Sequence, residues 1–205
     1  MKAIGIFIAG ALFGIALIGA GGWLWMRHAI KFVAEQEQSS VPDTARELSK
    51  AKAKLDSATN EYERWVALGD FGFWSVDAGE FDTAQRSAEE LLAHAEKCKS
   101  DWNYGNAMHK GNLILGRLEL KKGNREKAKA YLIAAGKTPG SPQLDSFGPN
   151  MMLAKELLEA GEKDAVLEYF SLCGVFWKHD FGMLSVWKDV VHEGRIPNFA
   201  ANLVY

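Results

Sequence analysis

Residues 65–88 read WVALGDFGFWSVDAGEFDTAQRSA, and the fold we expect follows from this stretch. Its first part carries large apolar residues at helical spacing and ends at Gly79. A second segment follows, in which Ala84 and Ala88 lie one turn apart on an apolar stripe. The pattern predicts two helices that are joined by a glycine turn and packed side by side.

The same alternation of helical periodicity and glycine continues in both directions from this stretch. A short polar helix is expected at 43–57, with Asp43-Thr44 at its N-terminus, either as a spacer or as the first packing helix. The loop 137–149 holds three of the five prolines, and the tail 195–205 is apolar enough to pack on the domain. No segment alternates like a strand, so the fold class is all-α. The predicted helices span 60–78, 82–99, 101–122, 126–135, 150–160, 163–176 and 181–193.

Residues 3–26 contain no charged residue and read AIGIFIAGALFGIALIGAGGWLWM. A helix of this length measures about 36 Å at ~1.5 Å per residue, which exceeds the ~30 Å hydrocarbon core of a bilayer. Trp23 and Trp25 stand where amphipathic rings favour the membrane interface. We therefore expect an uncleaved single-pass transmembrane helix, a signal-anchor that contacts the lipid bilayer. The alternative is a signal peptide cleaved near residues 19–22, which would leave the protein secreted.

The segments flanking the membrane helix are short and polar. Residues 1–2 form a short N-terminus, and residues 27–42 form a juxtamembrane linker. Positive charge at Lys2 balances Arg27 and Lys31, so the positive-inside rule gives little guidance. A short N-terminus before a signal-like segment favours a soluble domain on the periplasmic or extracytoplasmic side. Gly10 and Gly14 form a GxxxG pair through which the membrane helix could form a homodimer.

Composition and motifs exclude several classes of function. Hydrophobic residues make up 48% of the 205 residues, as in a globular domain, and a formal charge of −2 gives no attraction to nucleic acid. Cys98 and Cys173 lack a CxxC spacing and are expected to be small buried residues, with one disulfide as the alternative. His94 and Cys98 could share a metal, but further ligands are not evident. We find no catalytic or cofactor motif, so we expect a protein that is not an enzyme and that uses no cofactor and no metal.

A pattern that occurs three times resembles the tetratricopeptide repeat family, over residues 65–173. It combines a Leu-Gly-like pair, a turn glycine and a small residue early in the next helix. The turn glycines are 44 and then 38 residues apart, whereas a regular array repeats every ~34 residues. The copies are Leu68…Phe71-Gly72…Gly79-Glu80-Phe81…Ala84…Ala88, then Leu115-Gly116…Gly123…Ala128…Ala135 before Pro139, and a weaker Leu153-Ala154…Gly161…Val166…Phe170.

The resemblance implies a right-handed superhelix of antiparallel helix pairs over residues 58–178, with a capping helix and tail over 179–205. In physical terms, Gly72 and Gly116 allow close approach of two helices, and the turn glycines end helices in a left-handed conformation. A generic antiparallel helical bundle is the alternative. Lys110 and Asn112 match part of the carboxylate clamp of chaperone-binding relatives.

In this family the first helices of the pairs line a concave groove that holds a protein or peptide partner. Arg117 and Lys121 lie one turn apart, and we expect them to hold acidic groups of the partner beside Phe73. The alternative is that these charged residues form a solvated surface that binds no partner. The groove residues that the resemblance implies are Phe73, Asp77, Lys110, Leu113, Arg117, Lys121, Met151 and Lys155.

The C-terminal end is dense in aromatic residues. Because the last helices of an array must cover an exposed apolar face, we expect these residues to cap the domain. The alternative is an exposed docking patch. Two functions remain open, a membrane-tethered interaction scaffold and a structural subunit of a membrane complex assembled through the membrane helix and this aromatic end. The aromatic residues are Phe170, Phe176, Trp177, Phe181 and Trp187.

Overall fold

The computed structural model describes residues 43–204 and His28, and all regular secondary structure in that part of the chain is helical. The predicted all-α class is confirmed. Residues 43–204 form nine α-helices and a short 3₁₀ helix, and no strand occurs among them. The helices are α1 Thr44–Asp56, α2 Glu61–Asp77, α3 Phe81–Lys97, α4 Tyr104–Lys121, α5 Arg125–Gly136, α6 Pro142–Phe147, α7 Met152–Glu159, α8 Lys163–Phe176 and α9 Met183–His192, followed by the 3₁₀ helix Ala200–Leu203.

The predicted membrane helix at residues 3–26, with Gly10 and Gly14, lies outside the described residues, as does nearly all of the predicted linker. Within residues 43–204, no helix has the length and apolarity that crossing a bilayer requires. The helix predicted at 43–57 is present as α1. Asp43 caps it by accepting a hydrogen bond from the backbone N–H of Arg46, and Ala51 is buried against α2.

The predicted glycine turns are confirmed in their backbone geometry. Gly79, Gly123 and Gly161 have φ values of 77°, 82° and 87°, which favour glycine because a side chain is strained there. After α2, the N–H of Glu80 donates to the carbonyl of Ser75 at 2.9 Å and the N–H of Gly79 donates to Val76. These bonds satisfy carbonyls that the helix end leaves unpaired and reverse the chain within three residues.

Consecutive helices pack antiparallel, and this makes every second helix of the array parallel. The indole N–H of Trp65 in α2 donates to the carbonyl of Leu91 in α3, while Gly72 further along α2 faces Ser87 earlier in α3. A Cβ at Gly72 would lie 2.9 Å from the Ser87 Cβ, so the predicted close approach is confirmed. Ala84 is fully buried at this contact, as expected from its size.

In the second helix pair, α4 with α5, a glycine again allows two helices to approach closely. A Cβ at Gly116 would lie 3.0 Å from the Cβ of Tyr131 and even closer to Leu153 of α7. Ala128 is fully buried here, like Ala84 in the first pair. The small residues therefore allow α5 and α7 to pack against opposite sides of one point on α4.

Most of the C-terminal aromatic residues lie in the larger of the buried hydrophobic clusters. Phe170 and Trp187 are fully buried, with ring centroids 5.9 Å apart, and Phe199 of the tail packs on both. Phe176 and Trp177 are also buried, whereas Phe181 is 63% exposed. These four residues therefore belong to the core, and the tail packs on the domain through Phe199.

The segment 142–147 is a helix, so the prediction of a continuous loop over 137–149 is wrong there. Ser141 accepts a hydrogen bond from the N–H of Leu144, and Pro142 occupies the first turn, where its missing N–H is no loss. The tail holds the end of this segment, because Asn202 donates to the carbonyls of Phe147 and Pro149. Six residues are too few to show a helical period in the sequence. A helix this short is also unstable without tertiary contacts such as these.

Candidate functional site

Three parallel helices, α2, α4 and α7, share an inner face that carries most of the predicted groove residues. Contacts across this face recur at nearly constant sequence offset. Lys110 of α4 pairs with Asp70 of α2, 40 residues earlier, at 2.5 Å. Arg117 pairs with Asp77, also 40 residues earlier, and with Glu156 of α7, 39 residues later. The offsets show that the three helices are in register.

Arg117 is a buried cation that the chain itself neutralises. Its side chain is 1% exposed, its Nη2 lies 2.5 Å from Asp77 and 2.8 Å from Glu156, and its Nε also donates to Glu156. The guanidinium carbon stands 4.9 Å from the ring centroid of Phe73, which is itself buried. Burial alone would lower the pKa of Arg117, but the bonds to Glu156 and Asp77 raise it. Arg117 therefore ties α2, α4 and α7 together, and its donors already face two carboxylates.

The remaining predicted groove residues divide between core and surface. Leu113 and Met151 are fully buried in the hydrophobic core, so no part of either side chain faces a partner. Lys121 is 47% exposed, with its Nζ 3.7 Å from Glu156. Lys155 is at the surface and pairs with Glu159 in its own helix at 3.1 Å. Asn112, the other residue of the partial clamp, is buried and donates to the carbonyl of Met108 in its own helix.

A cavity of about 140 Å³ opens on the same face, between the N-terminal half of α4, α2 and the segment after α5. Polar side chains line much of it. Asn106 donates to Asn103 at 2.8 Å and to Gln143 of α6 at 3.0 Å, and it accepts from the Ser141 hydroxyl. The helix that the sequence did not predict, α6, therefore forms one wall of this cavity.

His109 lies in the cavity wall as a neutral base. The hydroxyl of Tyr169 donates its single proton to the carbonyl of Asn150, so the 2.9 Å contact between His109 Nε2 and that hydroxyl is donated by the histidine. Nδ1 then keeps a lone pair. Burial, with a smaller effect from the adjacent Lys110, lowers the pKa of His109 to about 3. The imidazole is thus an uncharged acceptor over the physiological range.

The rim of the cavity carries two ammonium groups and one carboxylate. Lys110 lies 2.5 Å from Asp70, and Lys54 of α1 lies 3.5 Å from the other oxygen of that carboxylate. Burial acts to raise the pKa of Asp70, but Lys110 and then Lys54 lower it, so the carboxylate stays ionised. One positive charge is left over at this rim.

Asn103 leaves one donor unused at the cavity. Its side-chain oxygen accepts from Asn106, and the residue is only 7% exposed, yet nothing among the described residues accepts a hydrogen bond from its Nδ2. The fully enclosed side-chain atoms without a bond among the described residues are Ser75 Oγ and Trp177 Nε1, so the Asn103 amide faces the open cavity. Asn103 therefore offers a hydrogen-bond donor to a polar group that enters the cavity.

Sequence reasoning missed this cavity although it predicted Lys110. The available signal was weak. Asn103, Asn106 and Lys110 follow helical spacing on one face of α4, but only the packing of α1, α2 and α6 brings the other polar groups to them.

Comparison of the chain with protein-family models, with curated proteins and with solved structures finds no match. What the cavity can hold follows from its dimensions and its chemistry. Its volume of about 140 Å³ is below the ~300–1,000 Å³ of pockets for drug-sized ligands and cofactors. A group about the size of one side chain fits, and the lining offers it an ammonium, an amide donor and a neutral imidazole acceptor.

Proposed function

We propose that this protein is a membrane-tethered interaction scaffold of the tetratricopeptide-like kind. It holds a segment of a partner protein along the face of α2, α4 and α7, with one partner side chain inserted in the cavity. The N-terminal segment 3–26 serves as the tether.

Regular register of the inner helices supports the repeat interpretation. Two contacts join α2 to α4 at an offset of 40 residues, and one joins α4 to α7 at an offset of 39, so the two steps between successive helix pairs are nearly equal. Equal steps are typical of stacked repeats, which bury a continuous core by repeating one helix-pair interface. The left-handed glycines at 79, 123 and 161 mark the same point in each pair.

The observation that carries the binding function is the cavity with its polar lining. Asn103 and His109 line it, each with a side-chain nitrogen that no described residue bonds, and Lys110 stands at its rim. A few polar groups that converge on one concave space are typical of a binding site. The small volume favours insertion of a single side chain over an enclosed small-molecule substrate.

The positive charge at the rim of the cavity favours a partner with an acidic group. We expected Arg117 and Lys121 to receive acidic groups, but Arg117 is already balanced by Asp77 and Glu156. The surplus positive charge lies instead at Lys54 and Lys110. A carboxylate on the partner therefore belongs at that rim, where partial burial strengthens the attraction relative to water.

The tether adds to this modest site through effective concentration. A cavity that holds one side chain supports weak binding by itself. Confinement of both proteins to one membrane surface raises the local concentration without any new contact. The predicted extracytoplasmic orientation places the partner on that side, and a reporter fused at Tyr205 tests it.

The alternative function is a structural subunit of a membrane complex, and the aromatic C-terminal end now supports it less. Four of the five C-terminal aromatic residues that suggested a docking patch are in the core, and Phe181 alone of that set is exposed. The alternative now depends on residues 3–26, including the possible homodimer through Gly10 and Gly14.

The test is site-specific photocrosslinking in cells that make the full chain. A photoreactive residue at Gln143, on the cavity wall, is expected to capture one partner, and the same residue at the exposed Lys127 on α5 is not. In the Gln143 background, Asn103→Leu should abolish capture by filling the cavity, while Lys127→Met on α5 should leave it unchanged. Deletion of residues 1–31 should weaken capture without abolishing it.

Two outcomes would overturn the proposal. Equal capture from positions 143 and 127 would mean that the inner face has no partner. Capture that survives Asn103→Leu but disappears on deletion of residues 1–31 would assign recognition to the membrane segment, as the alternative states. Far-UV circular dichroism of each variant checks that the fold is retained.

A further inference from the structure

A second cluster of reactive side chains lies where α2 begins and α3 ends, outside the lining of the first cavity. Cys98 ends α3, and its Sγ lies 3.4 Å from Nε2 of His94, one turn earlier. The other ring nitrogen of His94, Nδ1, lies 3.3 Å from Oε1 of Glu61 at the start of α2. A thiol, an imidazole and a carboxylate thus stand in line.

Packing fixes the imidazole between the other two groups. The ring of His94 lies over the indole of Trp65, with centroids 4.7 Å apart and planes 34° apart. Trp65 is itself held, because its indole N–H donates to the carbonyl of Leu91 at 3.1 Å. The His94 side chain is 18% exposed and Cys98 is partly exposed, so solvent reaches the pair.

This arrangement is a proton relay and not a chelate. The two nitrogens of an imidazole point away from each other, so Glu61 and Cys98 cannot bind one metal ion together through His94. In agreement with this, the described residues contain no group of three metal-ligating side chains. A carboxylate on one ring nitrogen and a nucleophile on the other is the order found where a histidine deprotonates a nucleophile.

We propose that Cys98 is a reactive thiol, activated by His94, that forms a mixed disulfide with a low-molecular-weight disulfide. The Cys98 proton passes to Nε2 of His94, and the thiolate attacks one sulfur of the disulfide. The sulfur–sulfur bond of the reagent breaks as the bond to Sγ forms. The leaving thiolate takes the proton from the imidazolium, so Cys98 is oxidised, one thiol is released, and no further oxidant is consumed.

A cavity beside His94 gives one arm of the small disulfide a place to bind. It measures about 150 Å³, the size of about one side chain, and is lined by Glu61, His94, Arg64 and Lys97 among others. Arg64 is engaged by Glu90 at 2.8 Å, whereas no ion pair joins Lys97 to any described residue. The reagent's carboxylates suit the ammonium of Lys97, which precedes Cys98 directly.

The thiolate needs His94 because the helix end works against it. Cys98 stands at the C-terminus of α3, where unpaired carbonyls and the helix dipole disfavour negative charge. Lys97 and Lys99 offset this only in part, because Lys99 already pairs with Glu96 at 2.8 Å. Glu61 contributes less than His94, because its side chain is 79% exposed and its charge is screened.

The test treats the full folded chain with oxidised glutathione and follows the adduct by mass spectrometry of peptides. Cys173 is an internal control, since it is fully buried and burial raises the pKa of its thiol. The adduct is expected on Cys98 alone, to be absent in Cys98→Ser, and to form at an unchanged rate in Cys173→Ser. An adduct on Cys173 in the folded protein, or none on Cys98, would overturn the proposal.

The role of His94 is tested by rate and pH together. At pH 7, His94→Gln should slow the reaction at least ~10-fold, in line with general-base catalysis, and Glu61→Gln about 2–3-fold. At pH 9.5 hydroxide removes thiol protons without help from a base in the protein, so the rates of the three proteins should converge. A His94→Gln rate equal to wild type at pH 7, or a difference that persists at pH 9.5, would show that His94 does not act as the base.

Discussion

Replacement of Arg117 by methionine tests whether one buried cation holds three helices together. The substitution keeps an unbranched side chain near Phe73 but removes the charge. Asp77 and Glu156 are then left facing each other with side chains only 22% and 13% exposed. Two partly buried carboxylates without a counter-charge destabilise the fold strongly, whereas the intact triad is close to neutral against apolar replacement.

The expected magnitude follows from that geometry. Loss of one partner of a buried pair costs ~3–5 kcal/mol, and the residual exposure of Asp77 and Glu156, with Lys121 3.7 Å from Glu156, places the cost near the lower end, at about 3 kcal/mol. For a domain of this size each kcal/mol shifts the melting temperature by ~2–4 °C, so the expected decrease is about 6–12 °C. The control, Lys121→Met, removes an exposed pair and should cost less than ~1 kcal/mol.

Urea unfolding of the full chain, followed by far-UV circular dichroism, measures both variants. The triple variant Arg117→Met, Asp77→Asn, Glu156→Gln removes the stranded charges and should regain most of the stability lost in the single variant. A single variant within ~1 kcal/mol of wild type would refute the reasoning. So would a triple variant no more stable than the single one, since the cost would then not arise from uncompensated carboxylates.

Three further predictions address packing and protonation. Gly116→Ala should lower the free energy of unfolding in urea by ~1–3 kcal/mol, because the added Cβ would overlap the buried side chain of Leu153. Gly123→Ala has open space around it at φ 82° and should lower the free energy of unfolding by ~1–2 kcal/mol through backbone strain alone. An equal displacement of Leu153 in both variants would contradict this difference. Phe199→Ala should cost ~3–5 kcal/mol by emptying a fully buried site in the tail, and a melting temperature unchanged from wild type would refute it. His109 is protonated in the unfolded chain below pH ~6.5 but in the native state only below about 3, so stability should fall by ~1.4 kcal/mol per unit as pH decreases between those values, a slope that unfolding of His109→Gln should lack.

Local features of the fold were predictable because their causes are local. The helix ends at Gly79, Gly123 and Gly161 depend on a backbone conformation that glycine adopts without strain, and this can be read from the residue type. Helical periodicity likewise located the longer helices to within a few residues. The one helix that was missed, α6, is stabilised by Asn202 at the other end of the domain, and that contact has no trace in the residues around it.

The candidate site was predicted only in part, for the same reason. The resemblance implied that Lys110 and Arg117 share one face of α4, but it could not show that Arg117 faces two carboxylates of the chain while Lys110 shares one with Lys54. A lysine or arginine is equally compatible with a solvated face, a groove or a buried ion pair. Which applies depends on the charges that neighbouring helices bring to it.

The residue pattern by itself determined the helical class, the helix boundaries and the small residues at which helices approach closely, since propensity and steric size act between near neighbours in the chain. Tertiary structure alone decided which cations are neutralised, where the cavity opens, and that Glu61, His94 and Cys98 stand in line. Those features depend on distances between groups up to tens of residues apart, and such distances are set by how the helices stack.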